Sequence, residues 1–273
     1  RPAAEGRAEM KFTDTHCHLA EPALRQNLDC IIREARACGV WRFLVPATCR
    51  RDWYDVADLS LRPSENIRIA LGIHPWFAEE TPEQDLAELE SLLRRHPQAW
   101  VGEIGLDFYD KSQTAAQREC QQKLFVRQLV LAESLKRRVV VHNLKSSSAA
   151  AAAIVEAGFG QGGIIHAFSG SVEEASAFVR LGFKIGIGSL LLNPSARKIR
   201  KVVQALDLHD MVLETDSPFM LKNEVNTPAN VRRIAETVAQ LRGIAVEEVA
   251  AQTERNADGL LEYRKGLPDE PEL

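Results

Sequence analysis

Phe12-Thr13-Asp14-Thr15-His16-Cys17-His18-Leu19 sets an H-x-H motif immediately after a short apolar run. Successive side chains on a strand point to opposite faces, so His16 and His18 share one face and Cys17 turns away. Two imidazoles aimed at one point suit half of a metal site, because neutral imidazole is the commonest protein ligand for zinc and similar ions. Taken alone, an H-x-H is more often surface or core filler. Its weight comes from the rest of the chain, where further ligand types stand at the ends of other predicted strands.

Outward from this first strand (11–15), β-type runs alternate with helical ones. Apolar spacing predicts a helix over 25–38, stopped by Gly39, then a strand over 41–47 and a helix over 51–62. A strand over 67–73 and a helix over 82–95 follow, with Pro82 in the first helical turn. The fourth strand covers 99–104, and the helix after it, 114–136, carries the stripe Leu124, Phe125, Leu129, Ala132 and Leu135. Strands are then predicted at 138–142, 163–166, 183–187 and 211–216. Between them lie a capped alanine helix after Ser146 and helices over 172–181 and 195–206; helices over 228–242 and 246–262 close the chain.

Eight apolar strands separated by helices predict a parallel sheet covered by helices, and the count predicts a (β/α)₈ TIM barrel. An open doubly wound sheet is the runner-up. It is disfavoured because the polar residues fall at the C-terminal ends of many strands, not around one switch point. No glycine-rich phosphate loop of the dinucleotide or P-loop kind occurs. The expected organisation is one hydrolase domain over 11–264, a disordered polar extension over 1–10 and a frayed acidic tail over 265–273.

Composition narrows the class. A 45% hydrophobic and 26% charged chain of 273 residues is ordinary for a globular protein with a sizeable core. The net charge of -4, without long runs of either sign, argues against a protein that coats DNA. It leaves room for a nuclease, because bound divalent ions supply positive charge locally. Five cysteines without a C-x-x-C pair predict free thiols in a reduced, cytoplasmic setting. No apolar run reaches the roughly 18 residues that span a bilayer, and neither a secretory signal nor an obligate protein partner is evident.

The strand ends collect His16 and His18, His74, Glu103, His142, His166 and Asp216. Five of the seven histidines stand there, while His96 and His209 lie near helix ends and read as solvated. In a parallel barrel all these ends share one rim. So many donors exceed the needs of one ion and suit two, about 3.5–4 Å apart, sharing a carboxylate. The expected partition is His16, His18, Glu103 and Asp216 on one metal, with Glu103, His142 and His166 on the other. His74 is a candidate for substrate contact or for orienting a ligand, with a purely structural role equally open.

Together, Thr13–Leu19, Gly72-Ile73-His74-Pro75, Gly102-Glu103-Ile104-Gly105-Leu106-Asp107, Val141-His142, His166-Ala167-Phe168-Ser169-Gly170-Ser171 and Leu213-Glu214-Thr215-Asp216-Ser217-Pro218 resemble the TatD-type metal-dependent hydrolases. The resemblance runs from Phe12 to Leu261 and includes Asn226-Thr227-Pro228-Ala229-Asn230. Val45-Pro46-Ala47-Thr48 and the segment 182–188 are most similar to the bacterial branch described as uncharacterised metal-dependent hydrolases. The resemblance implies a TIM barrel, two divalent ions (zinc, magnesium or manganese) and deoxyribonuclease activity, in several members a 3′-to-5′ exonuclease on single strands. It carries the ligand roles onto His16, His18, Glu103, His142, His166 and Asp216. One departure is Asn143-Leu144-Lys145, where many members have Ser-Arg or Thr-Arg after the histidine. Lysine does not reproduce a bidentate guanidinium on phosphate.

The expected chemistry is in-line attack of a metal-activated water on a phosphodiester, with Asp216 as general base beside Glu103. Asp14 is expected either on the strand face opposite the ligands or supporting them from behind, and Asp107 is a candidate for the same support. Ser169, Gly170 and Ser171 open a helix and offer N–H groups to a phosphate, or simply cap it. Arg50, Arg51, Lys145 and Lys222 are candidate contacts to a DNA backbone, whereas Arg197-Lys198 and Arg200-Lys201 read as a solvated helix face. The same centre also fits hydrolysis of an amide, ester or acyl conjugate, since fold does not fix function. A carboxylated-lysine site is disfavoured by Glu103 at strand four. A metal-bound scaffold without turnover is the third reading.

Overall fold

Each strand pairs in parallel with the one before it, and the strand order in space is the order in sequence. The computed structural model describes residues 10–62 and 66–262. The strands are β1 (Phe12–Asp14), β2 (Val40–Pro46), β3 (Ile67–Leu71), β4 (Trp100–Asp107), β5 (Val139–Leu144), β6 (Gly163–His166), β7 (Phe183–Ile187) and β8 (Met211–Leu213). Past the last ladder, Thr15 N–H donates to the Leu213 carbonyl (3.0 Å) and Asp216 N–H to that of His16 (2.8 Å). A parallel bridge joins Cys17 to Ser217. These bonds bring β8 back to β1, giving the (β/α)₈ barrel.

The connections are α1 (Pro22–Arg25), α2 (Leu28–Ala37), α3 (Trp53–Leu59), α4 (Glu83–Arg95), α5 (Ala115–Ser134), α6 (Ser147–Glu156), α7 (Val172–Arg180) and α8 (Arg197–Ala205), with α9 (Val231–Arg242) and α10 (Val246–Leu261) closing the chain. Two differences from the sequence reading have local causes. The first helix is broken at Asn27, whose φ of -126° and ψ of 30° leave the helical region, so α1 and α2 replace one element. Strand β4 runs to Asp107 because its far half keeps pairing with β5 through Asp107 and Leu144. The tail expected at 265–273 and nearly all of the extension expected at 1–10 lie outside the described residues. Met10 is described and packs against the core.

Two apolar layers hold the barrel. Leu44, Ala70, Trp100, Val140, Ile164 and Val212 come from six strands yet form one cluster, so they face the barrel interior. Leu260 and Leu261 of α10 join them and plug the N-terminal end. The larger cluster, including Phe43, Phe125, Ile154, Phe178 and Val238, lies between strands and helices. With one end stoppered by leucines, the polar strand ends gather at the other, the usual place for a site in this fold.

Candidate metal centre

Seven side chains from six strand ends meet at the mouth: His16, His18, His74, Glu103, His142, His166 and Asp216. His16 Nε2 and His18 Nε2 are 3.2 Å apart, although β1 itself ends at Asp14. The closure onto β8 holds both residues instead. Asp14 lies beneath them, fully buried, accepting from His16 N–H (3.2 Å), Thr215 N–H (3.0 Å) and the Thr215 hydroxyl (2.6 Å). Burial pushes the Asp14 carboxyl up to about 8, against the pull of those hydrogen bonds.

Glu103 divides the cluster. Its Oε2 lies 3.3 Å from His16 Nε2 and 3.7 Å from His18 Nε2. Its Oε1 faces His142 Nδ1 (3.0 Å), His166 Nε2 (3.5 Å) and His74 Nε2 (3.6 Å). Asp216 Oδ1 completes the first group at 3.3 Å from His18 and 3.7 Å from His16. Its φ of 57° bends the chain sharply after β8. Two donors at the tetrahedral angle, each about 2.0–2.1 Å from one ion, lie about 3.3–3.4 Å apart. Spacings of 3.2–3.7 Å in the first group match the edges of such a polyhedron. Facing imidazole nitrogens at 3.2 Å also want a shared cation or proton. The residues therefore fit a metal, and His16, His18 and Glu103 form one candidate metal-binding cluster, His74, Glu103 and His142 another.

Charge balances inside this buried space. Burial alone would raise Glu103, but His166, His16, His74 and His142 outweigh it and hold the carboxyl well below the usual range. Asp216 is likewise lowered, with burial opposed mainly by His166 and His18. Burial carries His74 down to about 3, so it is a neutral imidazole. Its Nδ1 accepts from Trp76 N–H (3.2 Å), which leaves Nε2 toward Glu103. For His166, burial is overcome by Glu214, Glu103 and Asp216, which lift it to about 10.

Supporting groups stand behind the donors. Glu214 is fully buried, with Oε1 3.1 Å from His166 Nδ1 and also accepting from Ala167 N–H (2.5 Å). Gly186 makes room for it, since a Cβ there would lie 2.4 Å from Glu214 Oε2. Asp107 Oδ2 faces His142 Nε2 (3.1 Å) and accepts from the Trp76 indole N–H (2.8 Å). Gln128 on α5 bonds both the N–H (2.8 Å) and the carbonyl (3.0 Å) of Ile73, and Gln121 accepts from Asp107 N–H (2.9 Å). Asn226 donates to the Thr215 and Phe219 carbonyls (2.8 Å each), clasping the turn that carries Asp216. Sequence reasoning missed the roles of Glu214, Gln128 and Asn226.

A cleft of about 600 Å³ opens above the cluster, lined on its upper walls by Trp76, Phe77, Leu144, Leu190, Phe219 and Met220. His74 and Ser169 line it too. Lys145 is exposed and does not line it, nor do Lys222, Arg50 or Arg51; the two arginines border a separate cavity of about 220 Å³. Asn143 bonds the Ser146 and Ser147 hydroxyls at the start of α6, so of the segment Asn143-Leu144-Lys145 only Asn143 and the apolar Leu144 line the cleft. Ser171 caps α7 reciprocally with Glu174, whose carboxylate occupies the Ser171 N–H, the simple helix-cap alternative. His96 ends α4 and His209 is exposed, both away from the cluster.

All five cysteines are free, and no helix among the described residues is long and apolar enough to cross a membrane. The family described as TatD related DNase matches residues 13–262. An uncharacterised metal-dependent hydrolase of Escherichia coli K12, YjjV, is 33% identical over 246 residues, covering 88% of this chain and 93% of that protein. A crystal structure of YjjV superposes with a TM-score of 0.86 at 32% identity, covering 93% of this chain and 98% of the other. Human TATDN3, named a deoxyribonuclease, is 30% identical over 261 residues, 92% of this chain and 94% of its own. With the family matched over nearly all the described residues and the barrel shared, this chain belongs to the TatD-related metal-dependent hydrolases.

Proposed function

We propose that this chain is a two-metal deoxyribonuclease that removes nucleotides from the 3′ end of single-stranded DNA inside the cell. The observation that carries the reading is the division of Glu103, whose two oxygens each face their own set of imidazoles. His16, His18, Glu103 and Asp216 would hold one ion, and Glu103, His142 and His166 the other, with His74 beside the second. Once bound, divalent ions (zinc, magnesium or manganese, by availability) would acidify a water and offset charge developing on a phosphoryl group. Asp216, lowered and so ionised, sets Oδ1 on His16 and His18 and Oδ2 4.0 Å from His166, and its carboxylate would take the water's proton. Glu214 and Asp107 hold the His166 and His142 rings in place. The deoxyribonuclease name of the human relative supports DNA as substrate.

One observation favours a second reading. No lysine or arginine lines the cleft among the described residues, which suits a neutral amide, ester or acyl conjugate. An end-labelled single-stranded oligonucleotide separates the two. Incubation with magnesium, manganese or zinc is expected to give a ladder shortened from the 3′ end, abolished by chelator and by Glu103→Gln. DNA left intact by protein that retains both ions would overturn the nuclease reading and favour the second.

A further inference from the structure

With no lysine or arginine on the cleft wall among the described residues, a nuclease of this kind grips the phosphate only at its metal centre and needs a further hold on its substrate. Trp76 is 70% exposed, an unusual position for the largest apolar side chain, and Phe219 (50%) and Met220 (44%) are exposed with it. All three line the same cleft. Trp76 packs edge-on to His74 (ring centroids 4.7 Å) and lies 6.4 Å from His142. Phe219 packs edge-on to His18 (5.6 Å). The histidines beside Trp76 face Glu103 Oε1, and the one beside Phe219 faces Oε2, so each ring borders the imidazoles of a different carboxylate oxygen.

The Trp76 ring is also held rather than loose. Its indole N–H is fixed on Asp107 (2.8 Å), and its backbone N–H on His74 Nδ1 (3.2 Å). A pinned, exposed indole loses little freedom on stacking, and a base stacks favourably on an aromatic ring whatever the base. We infer that Trp76, opposed by Phe219 and Met220, forms a clamp for the nucleobase of the terminal nucleotide, which is thus held by its base while its phosphate meets the centre below. The inference rests on the nuclease reading and names how that site selects its substrate. Trp76 is here a specificity-determining residue.

The test compares 2′-deoxyadenosine 5′-monophosphate with 2-deoxyribose 5-phosphate, titrated calorimetrically into manganese-loaded wild-type protein. The nucleotide is expected to bind at least about tenfold more tightly, the equivalent of roughly 1.4 kcal/mol. Trp76→Phe, which keeps a ring but loses the Asp107 bond, should retain most of that preference. Trp76→Ala and Phe219→Ala should each lose most of it, read as the ratio of nucleotide to sugar-phosphate affinity on the same protein. Equal affinity of the two ligands for wild type, or an undiminished preference in Trp76→Ala, overturns the clamp. In parallel, an oligonucleotide ending in an abasic residue should show a KM raised about tenfold over the intact one. No cleavage of either oligonucleotide overturns the nuclease reading, and the titration still decides the clamp.

Discussion

Glu214 sits directly behind His166, with Oε1 3.1 Å from Nδ1 while Nε2 turns to Glu103 at 3.5 Å. A carboxylate in this position fixes both the ring orientation and the tautomer of a ligating imidazole. Glu214→Gln keeps the shape and can still accept from Nδ1–H, but removes the charge. Affinity for the second ion is expected to fall about 10- to 100-fold. Competition against a fluorescent chelator measures this, and unchanged affinity would show that Glu214 only fills space.

Gln128 satisfies both backbone groups of Ile73, next to His74. Gln128→Ala leaves a buried donor and a buried acceptor without partners, each costing about 1–3 kcal/mol. We expect a loss of about 2–4 kcal/mol in chemical denaturation at an unchanged m-value, larger than truncation of an exposed glutamine. A loss below about 0.5 kcal/mol would mean that the strand end does not depend on α5.

Asn226 holds the turn that carries Asp216 through the Thr215 and Phe219 carbonyls. Asn226→Ala should therefore loosen Asp216 more than it unfolds the barrel. The expected pattern is a Tm lowered by a few degrees with the first ion bound at least about tenfold more weakly. Equal weakening of both ions would place the defect elsewhere.

His96 offers a pH test remote from the centre. Burial, with Arg95 beside it, keeps its imidazole below the ordinary value of 6.5. The unfolded chain therefore takes up this proton first as pH falls. The contribution to stability is complete above about pH 6.5 and is lost as pH falls through the lowered value. Denaturation midpoints of His96→Gln should thus fall less between pH 7 and 5 than those of wild type. Parallel profiles would remove His96 from the account.

The barrel and the donors were legible for one reason: five of the seven histidines stand at the ends of apolar runs, and a parallel barrel turns every such end to one rim. Glu103 and Asp216 were legible by the same placement. Glu214 stands two residues before Asp216, as Asp14 does before His16, so both acids sit beside a candidate ligand in the sequence, although Glu214 reaches His166 across the barrel. For Glu214 that signal passed unused because an acidic residue in a strand-end motif reads as easily as a turn. Gln121 and Gln128 lie seven apart on the stripe side of α5, a helical period that an apolar-only reading discards. The exposure of Trp76 depends on how β4 and β5 place Asp107 and His142, and no local pattern encodes that.

The central claim is that Glu103 bridges two ions. Elemental analysis of protein reconstituted with manganese, paired with electron paramagnetic resonance of the same sample, tests it most directly. We predict two ions per chain in wild type with the exchange-coupled spectrum of a close manganese pair, and loss of that coupling in Glu103→Gln with one ion or none retained. A single uncoupled ion in wild type, or a coupled pair that survives Glu103→Gln, would contradict it.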